Sequence, residues 1–367
     1  IGILTNIPTP YRKAMWEAYS TIEKVTFDVY YCSPIESDRK WQVASASGVS
    51  EHYLDGFTLG RSFHLNLSIL KFFKRHDLWL IGGYSMPTAQ ILILLCKFQK
   101  IPYVIMFDGI SPQKLKAKEK PVLFQWKRFL VRNCLAWLGN GTVGREYAKK
   151  LGLSEEKLYN QYLTVDVEHF QRMTTDKEKI RTSFRAKWCI DSSSYVILYV
   201  GRLIESKGVQ DLLEAYRQIC EGETKQIELL IVGHGSYEEV LKQKAKGLTG
   251  VHFIGHVEYE NIHEAYLASD LLVLPSYDDP WGLVINEAFA CNLKSITTTS
   301  SGVHLDFHED ANVYKAGDVK KLIELIIDNI YIANQEKIDK TIVSPKWNFE
   351  KSKESLISII RKYHACN

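Results

Sequence analysis

Two cationic and two acidic side chains in the second half of this 367-residue chain have the types and spacing to hold a phosphorylated, hydroxyl-rich ligand. Arg202 and Lys207 lie in the run Gly201-Arg202-Leu203-Ile204-Glu205-Ser206-Lys207-Gly208. A guanidinium presents a planar fork of donors and an ammonium a compact charge, so the pair suits oxygens on which negative charge develops. Asp279 and Glu287, with seven residues between them, flank the turn Pro280-Trp281-Gly282. Carboxylates beside a phosphate site do not bind the phosphate itself. They accept hydrogen bonds from hydroxyl groups, of a ribose or of a sugar.

The elements that must position these groups follow from local pattern. Leu271 to Leu274 is a short apolar run bounded by Pro275, as in a buried strand of a parallel sheet. After the acidic turn, Leu283, Ile285, Ala288 and Phe289 can share a helical stripe. Strand, turn and helix place the first backbone N–H groups of a helix, near Gly282, Leu283 and Val284, at the carboxyl end of a strand. Those N–H groups have no acceptors within the helix and carry positive dipole character, so they suit a phosphate. Gly282 would let a diphosphate come close to the backbone. Upstream, Tyr195 to Val200 reads as a buried strand running into the Arg202–Lys207 loop, and Val209 to Cys220 as the helix after it. Further strands are expected at Ile227–Val232, before Gly233-His234-Gly235, and at Val251–Ile254, before Gly255-His256-Val257. Gly-x-Gly here is shorter than a dinucleotide-binding fingerprint, and no NAD site is inferred.

The first half repeats the alternation. Strands are expected at Ile1–Leu4, Val25–Tyr31, Leu78–Ile81, Pro102–Met106 and Ala136–Leu138. Pro8 and Pro10 stiffen the loop after the first strand, which carries Asn6 and Arg12. Asp108 precedes Gly109 at the end of another strand, a position that suits either a reacting group or a plain turn.

Taken together, the motifs resemble the family-4 retaining glycosyltransferases. Residues Pro275 to Ala288 are similar to that family's PS-x-x-E-P-x-G-L-V-x-x-E-A pattern, with Asp279 at the first Glu and Glu287 at the second. Gly201 to Gly208 matches its Gly-Arg-x-x-x-x-Lys-Gly signature. The resemblance implies that Asp279 meets the donor sugar, Glu287 the ribose, and Arg202 with Lys207 the diphosphate. It also implies that the loop with His256 and Val257 holds the base through backbone groups. Asp108 stands where the family has a His, Glu or Asp facing the reacting sugar and acceptor. Asn6 and Arg12 lie in a loop variant like that of a bacterial polysaccharide branch, lining the cleft. Three departures stand out: Asp for Glu at 279, Asn292 for Gly and Lys294 for Pro. The first shortens the reach by about an ångström.

The fold implied is α/β, the GT-B arrangement of two Rossmann-like doubly wound parallel-sheet domains facing a cleft. The expected boundaries are residues 1–170 plus a returning helix in 347–367, and residues 171–346. The activity implied is transfer of a sugar from a UDP- or GDP-sugar to a hydroxyl of a glycan or glycolipid acceptor. No cofactor and no metal are expected. A nucleotide-sugar epimerase, or a non-catalytic partner that only binds, remain alternatives on the same fold.

Composition agrees with two domains, since 367 residues exceed a typical single core. Residues 1–165 hold 22 Lys+Arg against 13 Asp+Glu, while the remainder holds 24 against 30. A basic half beside an acidic half points to an anionic partner for one surface. Seven cysteines, none in Cys-x-x-Cys spacing, fit free thiols in a reducing compartment, and the expected location is cytoplasmic or peripheral on the inner membrane face. No run is long and apolar enough to span a bilayer, no signal peptide is evident, and the chain opens on Ile1 rather than Met. Basic density peaks in Lys114–Arg132. The lysine run there suits an anionic membrane surface. The stripe Val122, Leu123, Trp126, Phe129 and Leu130 is expected to pack on the chain's own sheet. No nucleic-acid motif is present, so nucleic acid is not an expected partner.

Overall fold

A computed structural model describes residues 1–35, 43–60, 63–222, 226–307, 312–335 and 347–366. The chain divides into two units. The first comprises Ile1–Ile110, Lys114–Asp166 and Trp347–Asn367, the second Ser111–Gln113 and Val167–Lys346. The change of unit falls between Asp166 and Val167, a few residues before the boundary read from the sequence.

Apolar runs with turn residues at both ends build the strands of the first unit: β1 (Gly2–Thr5), β2 (Asp28–Tyr31) and β3 (Ser50–Tyr53). A hairpin of β4 (Phe57–Leu59) and β5 (Phe63–Leu65) follows, then β6 (Trp79–Gly82), β7 (Tyr103–Phe107), β8 (Ala136–Gly139) and β9 (Leu158–Asn160). Seven of these form one parallel sheet in the order β3-β2-β1-β6-β7-β8-β9. Helices cover its faces, so central strands are buried on both sides. Trp79, Ile81, Ile105 and Trp137 are fully excluded from water. Each such side chain contributes about 1.5–3 kcal/mol of burial free energy.

The second unit repeats the plan with β10 (Tyr195–Val200), β11 (Ile227–Val232), β12 (Val251–Gly255), β13 (Leu271–Leu274), β14 (Lys294–Thr298) and β15 (Val313–Tyr314). They pair in parallel in the order β12-β11-β10-β13-β14-β15. In each sheet the chain winds outward from a central strand one way and then the other. The order reverses between β1 and β6, and between β10 and β13. Loops part at such switch points and leave a crevice at the carboxyl ends of the strands.

The C-terminal helix, Phe349–Cys366, belongs to the first unit. Tyr19 Oη and Ser352 Oγ are hydrogen-bonded at 2.8 Å, joining it to the Pro10–Ser20 helix. Lys362 Nζ donates to the Glu156 carbonyl at 2.8 Å, and Trp347 meets the Tyr162 ring edge-on at 5.0 Å.

One expectation is overturned here. Within the Pro121–Val131 helix, only Leu130 of the predicted apolar stripe is buried; Val122, Leu123, Trp126 and Phe129 are exposed. Phe124, Leu130 and Val131 make the inward contacts instead. A stripe chosen on apolar character alone rotates the helix by the wrong angle when apolar residues occur nearly all round it.

Candidate active site

Four loops meet at the carboxyl end of the second sheet, and backbone contacts lock them together. The Leu203 N–H donates to the His234 carbonyl at 2.9 Å, tying the loop after β10 to that after β11. The Gly233 N–H donates to the Gly255 carbonyl at 2.8 Å, adding the loop after β12. On the other side, Tyr277 N–H donates to the Ser206 carbonyl at 2.9 Å, which joins the loops after β10 and β13. Gly208 makes this last approach possible. Its φ is +71°, and a Cβ there would lie 2.0 Å from the Pro275 carbonyl oxygen. Only glycine satisfies both demands.

This arrangement sets Lys207 against Asp279 across the β10–β13 switch point. Lys207 closes a short 3-10 turn, Glu205–Lys207, and its Nζ donates to Asp279 Oδ2 at 2.6 Å. Both side chains are largely buried, at 13% and 11% exposure, so solvent screens the pair weakly. Asp279 is held on its other oxygen as well. The Trp281 N–H donates to Oδ1 at 3.2 Å, and the Gly302 N–H reaches the Asp279 carbonyl at 3.0 Å. Trp281 is fixed in turn by its indole N–H on Asn286 Oδ1, 2.9 Å away. The acidic turn is therefore held by its own backbone and side-chain hydrogen bonds.

From that turn the Leu283–Ala290 helix starts. Its N-cap is Gly282, at φ +102°, and no side chain caps it. The helix start is thus a place where backbone N–H groups can meet an anion. The glycine also answers to the fold, because a Cβ would lie 2.7 Å from Leu274 Cδ2 and 3.0 Å from Ser301 Oγ. Leu283 and Val284 follow at the first two helical positions, both half-buried.

Glu287 lies one turn further along. Burial pushes its carboxyl up to about 7, while a hydrogen bond from the Tyr266 hydroxyl works in the opposite direction. Tyr266 is fully buried on the Ile262–Ala268 helix, with its ring edge-on to Phe170. Sequence reasoning missed Tyr266. It looks like one more aromatic in an apolar helix, and only the folded chain shows its hydroxyl on a site carboxylate.

The remaining donor-side candidates sit around the same rim. Gly201, at φ +151°, ends β10, and the Arg202 carbonyl accepts from Tyr199 Oη at 2.8 Å. The His256 ring packs edge-on against His234 at 5.3 Å, with Nε2 3.3 Å from Glu258 Oε1. Val257 follows His256 in the loop after β12.

The first unit gathers its candidates separately. Arg12 is buried and ion-paired with Asp108, whose side chain is half-exposed. Burial opposes the guanidinium charge most, but the Asp108 carboxylate, Tyr11 and Tyr19 together outweigh it, and the Arg12 pKa rises above its ordinary value. Trp16 lies over the guanidinium at 5.3 Å. Gln161, which the sequence did not flag, donates from Nε2 to Asp108 Oδ1 at 3.0 Å. Asn6 lies in the loop after β1. Its carbonyl accepts from the Ser33 N–H at 2.9 Å, and its Oδ1 accepts from Thr5 Oγ1 at 3.4 Å. Removing the charge facing a buried guanidinium is costly. Asp108→Asn is expected to cost about 3 kcal/mol in urea unfolding, with Arg12→Met in the same chain recovering most of it.

Among the described residues, no group of three or more His, Cys, Asp or Glu side chains is placed to hold a metal ion. Comparison with known proteins agrees with the motif geometry. The family model for glycosyl transferases group 1 matches residues 180–341, which carry the Arg202–Lys207 loop, the acidic turn and the helix after it. Over those residues the chain matches the group 1 glycosyltransferases. Among similar proteins, TuaC of Bacillus subtilis, a glycosyltransferase assigned to teichuronic acid biosynthesis, is 27% identical over 64% of this chain and 57% of its own. A GDP-mannose-dependent monoacylated alpha-(1-6)-phosphatidylinositol monomannoside mannosyltransferase of Corynebacterium glutamicum is 29% identical over 54% of each. The chain thus spans about half the length of the curated relatives it matches. In fold it is similar to Anabaena HepE, solved with UDP-glucose, at a TM-score of 0.74 and 16% identity over 98% of this chain and 99% of that one. Its architecture is GT-B.

Proposed function

We propose that this group 1 glycosyltransferase moves a sugar from a nucleotide diphosphate sugar to a hydroxyl group of a glycan or glycolipid acceptor, keeping the anomeric configuration. The observation that carries this reading is the Lys207–Asp279 pair at the β10–β13 switch point, beside an uncapped helix start. Arg202, Lys207 and the N–H groups of Leu283 and Val284 would take the diphosphate, and Gly201 and Gly282 would leave it room. Asp279 would accept from hydroxyls of the donor sugar and Glu287 from the ribose. His256 and Val257 would flank the base. In the first unit, Asp108, Arg12 and Asn6 would face the acceptor.

Such a set favours a reaction driven by charge stabilisation and positioning. As the glycosidic bond breaks, its electron pair moves to the diphosphate oxygen. The acceptor hydroxyl attacks the same face of the sugar and loses its proton to the departing phosphate. Lys207 and Arg202 stabilise the charge that appears there. No protein nucleophile is required, and turnover is expected to persist in a chelator.

The donor is a UDP- or GDP-sugar. HepE is described with UDP-glucose and the Corynebacterium relative as GDP-mannose-dependent, which supports that class. The latter is named for a phosphatidylinositol monomannoside, which supports a lipid-linked acceptor here. We place the protein on the cytoplasmic side, at the inner face of the membrane, where Lys114–Arg132 would meet anionic lipid. Among the described residues no helix is long and apolar enough to cross a bilayer.

A thermal-shift screen of nucleotide sugars tests the donor assignment. A ligand at a hundred times its dissociation constant adds about 2.7 kcal/mol of stability, so one UDP- or GDP-sugar should raise the melting temperature by several degrees. No shift with any of them would remove the donor site. Donor consumption without a new glycoside would move the reading to an epimerase.

A further inference from the structure

Apolar side chains on two neighbouring helices of the first unit are left facing water. On the Pro87–Gln99 helix, Leu94 is exposed and Phe98 is 81% exposed. On the Pro121–Val131 helix, Val122 is 85% exposed, with Trp126 and Phe129 also open. The two helices touch: Trp126 Nε1 donates to Gln90 Oε1 at 3.2 Å, and Lys97 Nζ lies 3.9 Å from the Phe129 ring centre. Trp126 and Phe129 stack at 5.6 Å, and the Arg132 guanidinium lies 5.4 Å from the Phe129 ring centre. Singly exposed apolar residues need no explanation, but a contiguous group with cations over its rings does.

Charge around the patch is one-sided. Residues 87–132, the two helices and the segment between them, contain nine Lys and Arg against two acids, Asp108 and Glu119. Both acids are already spent, Asp108 on Arg12 and Glu119 on Lys127. Lys116, Lys118 and Lys120 are exposed immediately before the second helix. Lys150 Nζ holds this segment in place by donating to the Leu115 carbonyl at 2.6 Å and to that of Ala117 at 2.9 Å.

We infer that the patch is a bilayer-insertion surface: Phe98, Val122, Trp126 and Phe129 enter the acyl boundary of an anionic membrane while the lysines around them stay at the headgroups. The charge selects the occupant. A protein partner or a second copy of this chain would have to cover the same cations with acids, and a second copy presents the same positive face. An anionic lipid surface complements both parts of the patch at once, apolar side chains with acyl chains and cations with phosphates. This deepens the membrane placement above, because it adds the Pro87–Gln99 helix and a salt-resistant apolar component to a charge attraction. It does not depend on sugar transfer.

The test is flotation of the whole chain with vesicles of phosphatidylglycerol and phosphatidylcholine in equal parts, and with vesicles of phosphatidylcholine alone. The wild type should float with the anionic vesicles and keep part of that association in molar salt. Phe98→Glu with Val122→Glu should reduce it at least tenfold while leaving the melting temperature unchanged, since both sites are open to water. Lys116→Ala with Lys118→Ala should weaken binding mainly at low salt. Three results would overturn the inference: no flotation, flotation abolished by salt and indifferent to Phe98→Glu with Val122→Glu, or a lipid-free dimer that this double variant dissociates. Because partition is read without turnover, failure of the nucleotide-sugar screen and failure of flotation are separate outcomes.

Discussion

Lys207→Ala is expected to lower kcat/KM for sugar transfer by about a thousandfold or more, some 4 kcal/mol of transition-state stabilisation, with the chain still folded. Two effects add. The ammonium opposes the charge that develops on the leaving diphosphate in a site screened weakly from it. It also fixes Asp279, whose Oδ2 it holds at 2.6 Å, so its loss frees the carboxylate proposed for the donor sugar. Arg202→Ala should lose a comparable amount through the charge that develops on the diphosphate. Restoring the charge with Lys207→Arg should recover less than a point-charge account predicts, since a guanidinium misfits a site built around a single 2.6 Å contact. Rates for purified enzyme and acceptor, with circular dichroism as the folding control, decide the matter. Full turnover in both alanine variants would remove the diphosphate assignment.

Glu287→Gln is expected to stabilise the chain above neutral pH and to impair donor binding. The carboxyl is raised to about 7 by burial, against an ordinary value of 4.5. Below the ordinary value both folded and unfolded chains hold the proton and the group contributes no pH dependence. Between the two values only the folded chain holds it, so stability falls as pH rises through this window and stays low above it. The difference corresponds to roughly 3 kcal/mol above neutrality. Glutamine keeps an acceptor for the Tyr266 hydroxyl and carries no charge, so it should recover much of that amount at pH 8 and almost none at pH 4. Function runs the other way. An ionised Glu287 can accept from two ribose hydroxyls, whereas the protonated acid cannot. Donor KM should therefore fall as pH rises from about 6 to about 8. In Glu287→Gln the KM should be roughly tenfold higher and flat with pH. Melting curves and donor KM across pH read both limbs. A wild-type KM that does not change with pH would remove Glu287 from the donor site.

Much of this site could be read before any coordinates. The strands that hold it, Tyr195–Val200, Ile227–Val232 and Leu271–Leu274, are buried on both faces, and continuous apolar runs ended by Gly or Pro announce them. Edge elements were harder. β3 reads Ser-Glu-His-Tyr, β9 Leu-Tyr-Asn, and β15 has two residues, so pairing with a neighbour rather than local pattern makes them strands. The segment Leu65 to Arg75, helical in period, forms only 3-10 turns, Leu67–Lys71 and Phe73–Arg75, and Phe57 to His64, without clear period, holds β4 and most of its antiparallel partner β5. Within the site, residue types gave Lys207 and Asp279 as separate candidates, but their contact spans 72 positions and depends on how the loops after β10 and β13 close. Tyr266 and Gln161 were invisible for the same reason. Their importance lies in which carboxylate each hydroxyl or amide reaches, a property of the fold and not of the local sequence.

The structure of the chain with a nucleotide diphosphate sugar bound bears most directly on the central claim. The account predicts diphosphate oxygens within about 2.7–3.2 Å of Arg202, Lys207 and the Leu283 N–H, with the ribose on Glu287 and the sugar on Asp279. A diphosphate seated elsewhere, with those side chains turned toward different regions, would contradict it.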